Sequence, residues 1–181
     1  DYIIDVLNAR AALESLETIK IGKIGLWGHS MAGNVVLRSL AVNPNIPAAA
    51  IWAGAVYSYS DWKKYGINDG SYRAPENITE HQKGRKELYA AHGEFNADSP
   101  FWKEVTATSY LKDLKGAIQL NHVVDDTVVN IGYSRDLNSL LDKTLVPHEL
   151  NEYDSGGHNF TGKTFDTAMK NTVKFFKKYL E

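Results

Sequence analysis

Along residues 1–16 the apolar positions Ile3, Val6, Leu7, Leu13 and Leu16 recur at three- and four-residue steps, while Arg10, Glu14 and Glu17 fall off that stripe. Such spacing predicts an amphipathic helix with one side turned to a core. The run from Lys23 to Trp27 is short, apolar and closed by Gly28. Val35, Val36, Leu37, Leu40 and Ala41 then follow on a helical period as far as Asn43 and Pro44. This reads as strand, tight turn and helix. Residues 48–53, Ala-Ala-Ala-Ile-Trp-Ala, form a second apolar run between Pro47 and Gly54, as expected of a strand buried on both faces.

Between about residues 56 and 114 the rhythm is lost. Tyr57, Tyr59, Trp62, Tyr65 and Tyr72 stand among Gly, Asn, Asp and Ser, with one convincing helical stretch over 79–91, so this segment reads as an inserted cap. Regularity returns with strands at 117–120 and 148–153 on either side of a helix over 132–141. A closing helix over 165–180 carries Phe165, Met169, Val173, Phe176 and Leu180 on one stripe. Strands separated by helices need crossover connections, and crossovers make neighbours parallel and cover both sheet faces with helices. The predicted fold class is therefore α/β, a three-layer sandwich with a mainly parallel sheet and an inserted cap, in a single domain over 1–181.

Composition narrows the function. The 181 residues are 43% hydrophobic, enough for one core, and 20 basic against 22 acidic residues leave a formal net charge of -2 with neither sign gathered in a block. Nucleic acid is thus not an expected partner. No apolar run approaches the roughly 20 residues of a membrane-spanning helix, and no membrane partner is expected. The absence of cysteine excludes disulfides, thiolate metal sites and a cysteine nucleophile in these residues.

The sharpest chemical signal is Gly28-His29-Ser30-Met31-Ala32-Gly33, where a predicted strand meets a predicted helix. A serine on such a turn is held in a strained conformation that lifts its hydroxyl above the sheet, and small residues two before and two after it let strand and helix approach. The same turn aims the N–H of Met31 at the place where an oxyanion would form. A serine nucleophile needs a base, and the base an orienting carboxylate. Both occur at later strand ends: Asp125 and Asp126 in Val123-Val124-Asp125-Asp126-Thr127-Val128, and His158 in Asp154-Ser155-Gly156-Gly157-His158-Asn159-Phe160. The order Ser, Asp, His is that of one class of serine hydrolases.

These motifs resemble the carboxyl-terminal part of an α/β-hydrolase, most similar to the prolyl oligopeptidase-like group that also contains many esterases. The resemblance implies a partial α/β-hydrolase fold, with Ser30 as nucleophile, His158 as base and Met31 as an oxyanion donor. His122 to Val128 resembles the group's Gly-x-x-Asp-x-x-Val pattern with Asp125 at the acid position, although His122 replaces the glycine and Val129 the proline that commonly follows. On that basis Asp125 is preferred to Asp126.

The resemblance also implies further amino-terminal strands and a second oxyanion donor upstream of the serine. Losing one such donor costs roughly 3 to 4 kcal/mol, so these 181 residues alone are expected to be slow. The strand at 23–27 would then be covered by another chain or by an amino-terminal segment, since an apolar edge strand leaves a row of unpaired backbone groups.

In the insertion, Tyr57, Tyr59 and Trp62, with His29 beside the serine, are candidate substrate-binding residues, and Trp52, Tyr65, Tyr72, Phe101 and Trp102 could extend an aromatic lining. Arg73, Arg85 and Lys86 are candidates for a substrate carboxylate. His122 with Asp125 and Asp126 falls short of a convincing metal site, and no phosphate-binding glycine loop is present, so no cofactor is implied. The expected activity is hydrolysis of a carboxylic ester through an acyl-enzyme, on a small-molecule ester or short peptide. Two other readings are a prolyl oligopeptidase-like peptidase and an inactive hydrolase-like module that binds or assembles.

Overall fold

The computed structural model describes residues 2–70 and 79–181. Among them, four strands form one sheet: β1 (Leu26–His29), β2 (Ala48–Trp52), β3 (Ala117–Val123) and β4 (His148–Tyr153). They lie across the sheet in chain order and every pair is parallel, with Leu26 opposite Ala49, Ile51 opposite Leu120, and Leu120 opposite Leu150. Parallel neighbours require crossovers, and helices supply them. Helix α1 (Tyr2–Glu14) precedes β1, and α2 (Met31–Val42) joins β1 to β2. The β2 to β3 connection carries α3 (Tyr59–Tyr65), α4 (Thr79–His92), α5 (Pro100–Glu104) and a 3-10 turn over Ala107–Asp113. Helix α6 (Gly132–Leu141) joins β3 to β4, and α7 (Lys163–Leu180) follows β4.

Side-chain alternation divides the sheet into two faces. On one face Ala49, Ile51, Ile118 and Leu120 meet Val36, Leu37 and Leu40 of α2 and Tyr133, Leu137 and Leu141 of α6 in the main core. On the other, Ala48, Trp52, Ala117 and Val123 meet Phe160 and, from α7, Ala168 and Phe175. The layers are thus helix, sheet, helix.

The α7 face is not wholly apolar. Gln119 and Asn121, both buried in β3, point toward α7. The Thr172 hydroxyl donates to Gln119 Oε1 at 2.8 Å and accepts from Trp52 Nε1 at 2.9 Å. Asn121 Nδ2 donates to the same Gln119 oxygen at 2.9 Å, and Tyr153 donates its hydroxyl to Asn121 Oδ1 at 2.8 Å. These groups satisfy one another away from water, which is the condition for burying them.

Two expectations are corrected. The first strand runs over 26–29 rather than 23–27, and its pairing begins with Leu26 opposite Ala49. In α1 the predicted stripe is buried only in part: Ile3, Val6 and Leu7 are half-buried, Leu13 and, beyond the helix, Leu16 are exposed, and Arg10, expected off the stripe, is the buried residue of the helix. Leu7 packs against the main core, and the buried Arg10 is tied to Glu14 one turn on by a 2.8 Å ion pair.

Candidate active site

Ser30 stands between the end of β1 and the start of α2 with φ 56 and ψ -121, in the left-handed region that a serine enters only when its surroundings compel it. Its N–H donates to the Trp52 carbonyl at 2.9 Å, which ties the turn to the end of β2. The small neighbours have a steric reason. A Cβ on Gly28 would lie 2.6 Å from the Ala32 carbonyl oxygen, and one on Gly33 would lie 2.7 Å from Gly54 Cα. Only glycine lets the strand, the helix and the segment after β2 approach so closely.

The Ser30 hydroxyl donates to His158 Nε2 at 2.9 Å, and His158 Nδ1–H donates to Asp126 Oδ2 at 2.8 Å. Asp126 therefore corrects the preference for Asp125. The Asp126 side chain has no exposed surface, and its other oxygen accepts the N–H groups of Val128 at 2.8 Å and Val129 at 2.9 Å. Burial pushes this carboxyl up in pKa, but hydrogen bonds from His122, His158 and the two N–H groups outweigh it and hold the group well below the usual carboxylate range. Asp125 lies at the surface and accepts from the N–H of Gly157 at 2.8 Å, so it fastens the histidine loop without touching the imidazole.

His122, the residue standing where the resemblance expects glycine, is fully buried behind the acid. Its Nε2–H donates to the Val129 carbonyl at 3.0 Å and lies 3.3 Å from Asp126 Oδ2, while its Nδ1 lies 2.7 Å from the Ser134 hydroxyl. Asp126 is thus held between two histidines, a relation the sequence pattern did not disclose.

A cavity of about 490 Å³ opens beside the nucleophile. Of the proposed substrate-binding residues, Tyr57 and Tyr59 line it. Tyr57 is almost wholly buried; its hydroxyl lies near Ser134 without completing a hydrogen bond, and burial pushes the phenol pKa up. His29 and Trp62 are elsewhere. His29 donates to the His158 carbonyl at 2.8 Å and supports the histidine loop from below, and burial holds its imidazole under the ordinary value. Trp62 is 42% exposed on α3, with Arg85 above its ring. Trp52 and Trp102 are buried in packing, and Tyr72 and Arg73 lie outside the described residues. Asn34 and Arg38, one and two helical turns past Ser30, line the same cavity and were missed. Their spacing of four and eight from the serine was the available signal.

Comparison with solved structures matches this arrangement to larger enzymes. The dipeptidyl peptidase 4 of Porphyromonas gingivalis superposes with a TM-score of 0.71 at 19% identity, over 98% of this chain and 22% of that one. The puromycin-hydrolyzing peptidase of Mycobacterium tuberculosis gives 0.72 at 14% identity, over 99% and 25%. The fold is a partial α/β-hydrolase fold. Acetyl xylan esterase 1 from Thermoanaerobacterium gives 0.61 at 13% identity, over 99% of this chain and 52% of the esterase. The chain therefore spans about a quarter of the two peptidases and half of the esterase. These neighbours are hydrolytic enzymes by name, and at such identities the likeness is one of fold. No family model matches the sequence, and no curated protein matches it.

Proposed function

We propose that the chain carries the nucleophile, base and acid of a serine hydrolase that cleaves carboxylic esters through an acyl-enzyme on Ser30. The observation that carries this reading is the unbroken path of hydrogen bonds from Ser30 Oγ through both nitrogens of His158 to Asp126, at the mouth of a cavity. In the reaction Ser30 Oγ attacks the ester carbonyl while His158 Nε2 takes its proton, and the same nitrogen returns the proton to the departing alkoxide. Asp126 keeps Nδ1 protonated and the ring oriented. The Met31 N–H, at the first turn of α2 where helical N–H groups lack an intrahelical acceptor, donates to the oxyanion. Water, activated by His158, then releases the acyl group.

A fluorophosphonate probe tests this directly. One stoichiometric adduct by intact mass, absent from Ser30→Ala, is the expected result; no adduct would leave an assembled but unreactive triad and favour a binding or assembly module. A serine peptidase of the same mechanism is the second reading, because two of the similar structures are peptidases. Matched esters and peptide amides separate the two.

We also propose that another strand covers the outer side of β1, from a second chain or from a segment amino-terminal to α1. Among the described residues β1 has a neighbour on one side, and Trp27 on it and Ile21 before it are 50% and 80% exposed. Hydrogen exchange checks this: β1 amides as protected as those of β2 are expected, and exchange at the rate of an open edge would overturn it.

A further inference from the structure

The cavity beside Ser30 is apolar over most of its wall, from Ile3, Val35, Val56 and Ile67, and Arg38 is the one charged residue among those that line it. Ser30, Asn34 and Arg38 follow one another at intervals of four, so all three lie along one face at the start of α2. A helical side chain leans toward the amino terminus, which carries the Arg38 guanidinium back over Asn34 in the direction of the nucleophile.

That position is fixed by a short series of contacts. Val56 has φ 56, a conformation that a β-branched residue adopts only under constraint, and its carbonyl accepts from Asn34 Nδ2. The oxygen of the same amide accepts from Arg38 Nε at 3.2 Å. With Nε engaged, the two terminal guanidinium nitrogens enter none of the arginine and lysine ion pairs among the described residues. Glu104 lines an adjoining cavity with Arg38.

We propose that this is a recognition site for a substrate carboxylate, held by Arg38 at the far end of the apolar cavity from the scissile ester. The inference rests on the serine hydrolase reading and names the substrate class of that site. A planar guanidinium whose two terminal nitrogens have no carboxylate partner among the described residues matches the two oxygens of a carboxylate, and apolar walls match the methylenes between. By the 1.5 Å rise per residue, Asn34 stands about 6 Å along the helix from Ser30, so about four methylenes would link the ester carbonyl to the carboxylate. The charged arm could belong to the acyl group or to the alcohol.

Two pairs of esters distinguish those sources. The acyl pair is 4-nitrophenyl hydrogen adipate and 4-nitrophenyl methyl adipate; the alcohol pair is the butyrate ester of 4-hydroxybenzoic acid and that of its methyl ester. In the full chain, kcat/KM should favour the charged member of one pair at least tenfold. Arg38→Met, which keeps the apolar stem, should bring that ratio close to one, and Arg38→Lys should retain part of it. A wild-type ratio near one in both pairs, or a preference that survives Arg38→Met, would overturn the proposal. Calorimetric titration of monomethyl adipate into Ser30→Ala reads the site without chemistry. Binding lost in Ser30→Ala/Arg38→Met supports it even if Ser30 takes no fluorophosphonate, in which case the hydrolase reading alone falls. Absent binding, with a reactive Ser30 and a ratio near one in both ester pairs, would sink the carboxylate site alone.

Discussion

At the scale of single residues, two adjacent aspartates have been given opposite tasks by a one-residue difference in position. Asp126 is enclosed with four donors, and Asp125 sits at the surface on the loop N–H groups. Asp126→Asn should therefore lower kcat by about 10⁴, the scale seen when the acid of such a triad loses its charge. Asp125→Asn should cost less than tenfold; steady-state kinetics on one activated ester compares them. The choice could not be read from the Asp-Asp pair itself, because adjacent loop residues carry no alternation to separate them. A frame in which Val123, Asp126 and Val129 are three apart does place both valines in buried positions. Asp126 also bears on acid stability. Its folded pKa lies below the unfolded carboxylate value of about 4, so its contribution is complete above that pH and is lost as pH falls toward the folded value. Urea denaturation between pH 6 and 3 should show a shallower decline for Asp126→Asn than for the parent.

Among the elements, the turn that joins β1 to α2 has little tolerance. Gly28→Ala places a methyl against a backbone oxygen of the following helix, which cannot move without moving Ser30. We expect a loss of about 1–3 kcal/mol in thermal denaturation, with slower labelling of Ser30. This turn was legible because small residues, a strand and a helix had to coincide there. The strand β2 was legible for a related reason, since its apolar run is short and bounded by Pro47 and Gly54. Helix α1 was legible only in part. Its apolar positions suit more than one burial face, and the buried one includes Leu7 against the main core and Arg10, which the hydrophobic pattern does not count. His122 was hidden for a similar reason: its partners Val129 and Ser134 come from the following loop and from α6.

For the molecule as a whole, parallel strands in chain order bring Ser30, Asp126 and His158 to the carboxyl ends of β1, β3 and β4, so three loops meet on one rim. The helix that follows the last of them, α7, is held to the sheet by a polar seam. Thr172→Val leaves Trp52 Nε1 and Gln119 Oε1 without their shared hydroxyl, and should cost about 1–3 kcal/mol in urea denaturation. An interface of leucines would let α7 slip by a turn with little penalty, as a greased piston does. The polar seam instead behaves like a key in a lock: a helix displaced along its axis loses several bonds at once. His158 hangs between β4 and α7, so the key sets where its loop is anchored. Asp126 aims the imidazole directly, and the seam adds a second restraint from the far side of the sheet, on the helix into which the histidine loop runs.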